Sequence, residues 1–195
     1  MSVRIEQSTD VLLIVDVQND FCPGGALAVK DGDQVVPVLN TIIPLFARRI
    51  FTRDWHPPDH ISFNDDPQFV DKSWPSHCVA GTPGAGLHPD LVVPEGAIVI
   101  DKATDKDTEA YSGFQGTDLA KRLRTFNVKR LFIGGLATDY CVKDTVLDGL
   151  KAGFEIFLLE DAVQGIDVPE GNVENALNEM SQSGAILIKS GDLES

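Results

Sequence analysis

The sequence is poor in basic residues, in cysteine and in long apolar runs, and each shortage closes off a class of function. Its Lys and Arg total 16 against 30 Asp and Glu, a formal net charge of −14. That charge repels phosphate backbones and anionic lipid surfaces, and no Lys/Arg cluster offsets it locally, so neither nucleic acid nor membrane is an expected partner. A small molecule is expected instead, and a homo-oligomer is left open. The 3 cysteines, an odd number without framework spacing, argue against a disulfide scaffold and suit a reducing compartment. The run Val11 to Val15 is far too short to cross a bilayer, and MSVRIEQSTD lacks the basic start and apolar core of a signal peptide. The expected location is the cytoplasm. No internal repeat or low-complexity tract is evident.

What is present fits one globular domain, 1–195, with a full-sized core: 195 residues, 43% hydrophobic and 24% charged. Short apolar runs alternate with helical periodicity. VLLIV at 11–15 reads as a strand buried on both faces, 49–53 as a second strand, and AIVI at 97–100 as a third. Strands follow at 130–135, 154–159 and 185–188. Helices are expected over 34–47, limited by Pro37 and Pro44, over 117–126 with a Thr cap, and over 171–183. The alternation predicts a parallel six-stranded sheet with helices on both faces, an α/β/α architecture. Residues 57–94 carry enough Pro, Gly and Asp to be mainly loop, and so long a loop in a compact domain is usually functional. GTPGAG at 81–86 resembles a phosphate loop, but no apolar strand feeds it, and it reads as a turn.

The stretch 130–150 changes character most sharply. An apolar strand ends at Gly134-Gly135, and from Val142 the period becomes helical, with Val142, Val146 and Leu150 on one face. Cys141 stands at the junction. A cysteine in the first turn of a helix faces unpaired N–H groups and the positive dipole end, which favour thiolate. It reads as a nucleophile or as a buried structural cysteine.

Asp16, Asp54, Lys102 and Cys141 all fall at or just beyond carboxyl ends of expected strands, where open α/β sheets form their ligand crevice. Singly, such residues are ordinary turn positions. Together, a carboxylate able to take a thiol proton and an ammonium able to steady both charges make Asp, Lys and Cys a nucleophilic triad. Asp54 and His56 leave their strand on one face, and His56, His60 and His77 share one segment. An Asp/His/His set with open positions suits Zn, Fe or Mn, though surface loop histidines would look the same.

The runs LLIVDVQNDFCPGG, TRDWHPPDHISF, WPSHCVAGTPGAGLHP, the Lys102 to Phe114 stretch and GLATDYCVKDTVLDGL resemble the nicotinamidase branch of the isochorismatase-like cysteine hydrolases, in order over nearly the whole chain. The resemblance implies the isochorismatase-like hydrolase fold, with Asp16, Lys102 and Cys141 as the triad. It also implies Asp54, His56 and His77 as ligands of one divalent metal, zinc first and iron or manganese next. Some members use an additional histidine of this loop as a ligand; His60 is the candidate for that place or else an outer or surface residue, and Asp65 is a weaker candidate. Phe21, Trp74 and Tyr111 match positions that wall a ring pocket, together with Leu136 and Ala137. The N–H groups of Ala137 and Cys141 would meet an oxyanion, beside a cis Leu136–Ala137 peptide. Cys22 and Cys78 read as structural. The implied activity is hydrolysis of nicotinamide to nicotinate and ammonia, in NAD salvage, with pyrazinamide as a side substrate. A sister hydrolase of another small amide or ureido compound would keep the triad without needing the Asp/His/His set. Isochorismate hydrolysis would not require the thiol, and a metabolite-binding module would need no nucleophile.

Overall fold

The computed structural model describes residues 2–194. In chain order the strands are β1 (Val3–Arg4), β2 (Asp10–Val15), β3 (Arg49–Asp54), β4 (Ile98–Lys102), β5 (Arg130–Leu136), β6 (Glu155–Gln164), β7 (Ile186–Ile188) and β8 (Leu193–Glu194). The α-helices are α1 (Val35–Ile42), α2 (Leu119–Thr125), α3 (Lys143–Lys151) and α4 (Asn172–Gln182). Six strands form one parallel sheet in the order β4-β3-β2-β5-β6-β7. β1 and β8 pair separately, also in parallel.

The pleat of β2 sorts its side chains between two cores. Leu12 and Ile14 pack with Val35, Val36, Leu39 and Ile42 of α1 on one face. Val11, Leu13 and Val15 pack with Leu119, Leu123, Val142, Val146 and Met180 from the α2, α3 and α4 side on the other. The result is three layers, and β2 at its centre is buried throughout. Full burial of each such aliphatic side chain stabilises the fold by roughly 1.5–3 kcal/mol, which is why a continuous apolar run suits this place.

The expected elements are present with shifted ends. α1 stops at Ile42 and gives way to a tight turn at Ile43–Leu45, because Pro44 cannot continue an α-helix. α2 starts at Leu119, whose N–H donates to Thr117 Oγ1 at 3.2 Å, so the threonine does serve the helix start. Two departures are larger. β6 does not stop at Leu159 but runs on through Glu160 and Asp161 to Gln164, past a register shift against β5 between Ile133 and Gly135. Gly135 has φ +126°, and any side chain there would overlap the Val15 backbone, so β2 and β5 close together only over a glycine.

The second departure concerns Cys141. α3 begins only at Lys143, and Thr138–Val142 form a wider turn in which Val142 N–H donates to Ala137 O at 3.1 Å, five residues back. Cys141 therefore sits inside a π-type turn rather than in the first turn of the α-helix.

Candidate active site

All strands of the main sheet point the same way, so their carboxyl ends share one rim, and β4, β3, β2 and β5 are successive neighbours along it. Asp54 and Lys102 are direct partners in the β3–β4 ladder. Asp16 follows β2 with φ +48°, and Ala103 follows β4 with φ +53°. A left-handed residue after each strand turns the chain out of the sheet at the rim, and such conformations persist where surrounding structure holds them.

Lys102 is the centre of the rim, with 1% of its surface exposed. Its Nζ lies 2.6 Å from Asp54 Oδ1, 3.0 Å from Asp16 Oδ2, 3.1 Å from Ala110 O and 3.4 Å from Cys141 Sγ. Burial alone would neutralise this ammonium, but the two carboxylates outweigh it and hold its pKa well above the ordinary value. Asp16 Oδ1 accepts a hydrogen bond from Thr52 Oγ1 at 2.7 Å. Its Oδ2 is close enough to Nζ for ion pairing but off the hydrogen-bond direction, leaving this buried oxygen without a hydrogen-bond partner. Burial pushes the Asp16 carboxyl up to about 6 despite the nearby Lys102.

Cys141 is buried in the same space. Burial pushes its thiol well above the usual range, and Lys102 only partly opposes this. One ammonium already faces two carboxylates, so a third negative charge in the same buried space is unfavourable. Cys141 rests as a thiol beside Asp16, whose Oδ2 is ion-paired with Lys102.

Asp54 joins this group to a second one. Donor atoms of Asp54, His56 and His77 lie within 4.8 Å of one another, with Asp54 Oδ1 4.0 Å from His56 Nε2. His56 Nδ1 is 3.2 Å from His77 O, and His77 Nδ1 is 2.8 Å from Pro75 O. A carbonyl can only accept, so each Nδ1 carries the proton and each Nε2 keeps its lone pair. Burial drives His56 down to about 4 and lowers His77 as well, so both rings are neutral at neutral pH. Burial raises the Asp54 carboxyl, but the charge around it, Lys102 foremost, leaves the group below its ordinary pKa. One carboxylate and two bare imidazole nitrogens fit a divalent ion of the zinc, iron or manganese type with positions left open. Asp16, Asp54 and Cys141 also lie within 4.8 Å of one another, but Lys102 Nζ already stands among them and repels a cation.

His60 belongs to a neighbouring group, with His56 and Glu109. Its ring is 4.4 Å from that of His56, yet Nδ1 pairs with Ser62 Oγ at 2.7 Å and Nε2 with Thr108 O at 3.2 Å, which leaves neither nitrogen bare. Asp65 is exposed, along an outer hollow with Phe63 and Ser76, and it joins none of the metal-type groups among the described residues.

A small, partly open cavity connects the two groups: Asp54 and His77 line it, as do Ala137 and Cys141. Phe21, Trp74 and Tyr111 wall it, and Trp74 Nε1 donates to Tyr111 Oη at 3.0 Å. Leu136 does not. Its side chain is fully buried in the core beneath, on the side facing Gly32. Three wall residues escaped the sequence reading, namely Leu27, Tyr140 and Ile166. Tyr140 stands edge-on to Trp74, with centroids 4.9 Å apart, and its place beside Cys141 was the available signal. The Leu136–Ala137 peptide is cis. Cys22 and Cys78 are free and buried, and burial raises both thiols.

The isochorismatase domain family matches residues 10–192. The chain belongs to the isochorismatase family. Within that family, a nicotinamidase from Escherichia coli is 40% identical over 94% of this chain and 96% of its own length. A pyrazinamidase of Pyrococcus horikoshii, solved in complex with zinc, is 47% identical with a TM-score of 0.81, covering 92% of this chain and 98% of that one. An L. infantum protein solved in complex with nicotinate is 35% identical with a TM-score of 0.86, covering 100% of this chain and 99% of its own. These are relatives along the full length, so this chain belongs to the nicotinamidase branch of the family. Among the described residues no helix is long and apolar enough to cross a membrane.

Proposed function

We propose that this chain is an amidohydrolase that converts nicotinamide to nicotinate and ammonia, in NAD salvage, and that it also hydrolyses pyrazinamide. The observation that carries this reading is that a nucleophilic thiol and two members of a carboxylate-histidine donor set, Asp54 and His77, line the same cavity. One half suits a carboxamide and the other suits a heteroaromatic nitrogen. The relatives that act on nicotinamide and pyrazinamide support it.

Asp16 takes the thiol proton of Cys141 on Oδ2, which accepts no hydrogen bond at rest, and Sγ attacks the carboxamide carbon. The N–H groups of Ala137 and Cys141 receive the oxyanion. The C–N bond then breaks, Asp16 returns its proton to the departing ammonia, and a thioester remains. Water, deprotonated by Asp16, attacks the thioester, releasing nicotinate and the Cys141 thiol. Lys102 offsets the negative charge that moves between Asp16 and Cys141 at every stage. Asp54, His56 and His77 would hold a divalent ion, zinc by preference, which when bound supplies a Lewis acid for the pyridine nitrogen and so fixes the ring. Phe21, Trp74 and Tyr111 wall the ring and exclude water. The whole of 1–195 acts as one domain. We place it in the cytoplasm, where its free cysteines stay reduced.

Ammonia release from nicotinamide by the purified protein, with and without a chelator, tests the reading. Turnover that depends on Cys141 is expected, and a folded, metal-loaded protein that releases no ammonia would refute it.

A further inference from the structure

The glycine-rich segment 81–86 reads from sequence as a plain turn, and the triad and metal donors make no direct use of it. The structure gives it close partners. Asn19 N–H donates to Gly86 O at 2.9 Å and Asn19 Nδ2 to Pro83 O at 2.7 Å, while Gln18 Nε2 donates to Ala85 O at 2.9 Å. The residues just after β2 therefore grip this segment along its length.

The same residues hold both ends of the metal donor set without touching a metal themselves. Gln18 is fully buried, and its Oε1 accepts the Asp54 N–H at 2.7 Å while its Nε2 donates to Asp54 O at 2.9 Å. Both backbone polar groups of Asp54 are thus fixed by one side chain. Asp20 Oδ2 accepts the N–H of Cys78 at 2.7 Å, and Cys78 O in turn accepts the N–H of His56 at 3.0 Å. Cys78 follows His77 directly and has φ +46°, a left-handed conformation that a non-glycine residue keeps only when held. Asp20 thus fixes the backbone next to one histidine and, through Cys78, that of the other.

Gly84 closes the arrangement from behind. Its φ lies outside the left-handed range, so alanine suits the backbone, but a methyl there would overlap the Asp20 carboxylate. We propose that Gln18 and Asp20 are positioning residues for the metal donors Asp54, His56 and His77, and that the glycine segment is the backstop that keeps them in place. This rests on the reading of those three residues as ligands. Outer partners of this kind typically change metal affinity by about 10–100-fold.

The test is zinc affinity, measured by competition with a chromophoric chelator, for the full chain and for Asp20→Ala, Gly84→Ala, their combination and Gln18→Met. Each single variant should bind zinc about 10–100-fold more weakly. The double variant should bind no more weakly than Asp20→Ala, because the added methyl then has no carboxylate to displace. Wild-type affinity in the folded single variants, or losses that multiply in the double variant, would overturn the proposal. If Asp20→Ala does not fold by circular dichroism, Gly84→Ala decides the matter, since it removes no hydrogen-bonding group. Weakened zinc binding at an unchanged melting temperature supports the positioning role, and unchanged binding overturns it. A wild-type chain with no zinc affinity would instead overturn the ligand reading, and this proposal with it.

Discussion

Asp16, Lys102 and Cys141 lie at or just past the ends of hydrogen-bonded strands, whereas His56 and His77 lie on the loop between β3 and β4, which carries only isolated bridges. The strand-end group inherits its geometry from ladder register, in which many backbone bonds act together. The loop group depends on a few side-chain-to-backbone bonds, such as Gln18 to Asp54 and Asp20 to Cys78. Asp54 belongs to both, at the end of β3 and bonded to Lys102. The amide-handling half should therefore tolerate distant substitution better than the ring-handling half, and metal affinity should be the first property lost.

The largest expected effect breaks the strand-end half for every substrate. Cys141→Ala should fold and lose activity by on the order of 10⁴-fold or more, toward nicotinamide and toward benzamide alike. Asp16→Asn should cost about 10²–10⁴-fold, because a neutral amide cannot take the thiol proton. Ammonia release under saturating amide measures both, and near-normal turnover in either folded variant would end the covalent scheme.

Removing the metal sharpens the contrast between halves. Chelation should lower kcat/KM for nicotinamide by about 10–100-fold and barely touch benzamide, which lacks the ring nitrogen, so the two substrates converge. Adding zinc back should restore the gap. Equal losses in a protein that keeps its circular dichroism would mean that the metal serves the carbonyl instead.

A pH profile should then show an acid limb that belongs to the strand-end half. Asp16 acts as a base only when ionised, and burial raises its pKa to about 6. Activity should therefore fall as pH drops through that value, for both amides in parallel. A limb seen with nicotinamide but not benzamide would transfer it to the histidines. The smallest effect comes from Thr52→Val, which removes the hydrogen bond that favours ionised Asp16. The limb should move to higher pH while the alkaline side stays put, and an unmoved limb would show that Thr52 does not tune the base.

The same contrast explains what was legible in the sequence. Polar residues that interrupt an apolar strand pattern announce themselves locally, and strand order then brings Asp16, Asp54, Lys102 and Cys141 together. β1 and β8 have two residues each, too few for any period, and their pairing spans the chain. β6 continues through Glu160 and Asp161, which face outward together where an alternating pattern has only one, and Asp161 accepts bonds from Ser190 N and Oγ at 2.8 and 2.6 Å. The burial and the two carboxylates that push the Cys141 thiol up are supplied only by the fold, and a local dipole argument does not see them. Ile166 and Leu27 enter the cavity wall from distant loops, and the Gln18–Asp54 and Asp20–Cys78 contacts cross 36 and 58 residues, beyond the reach of any local pattern.

The donor set on the cavity wall has a consequence for the cell's coenzyme pool. In an intact dinucleotide the pyridine nitrogen is already bonded to ribose and has no lone pair to offer a metal ion that Asp54, His56 and His77 would hold. The free base keeps that lone pair and the coenzyme does not, so one donor set would both recycle the spent vitamin and spare the amide still in service.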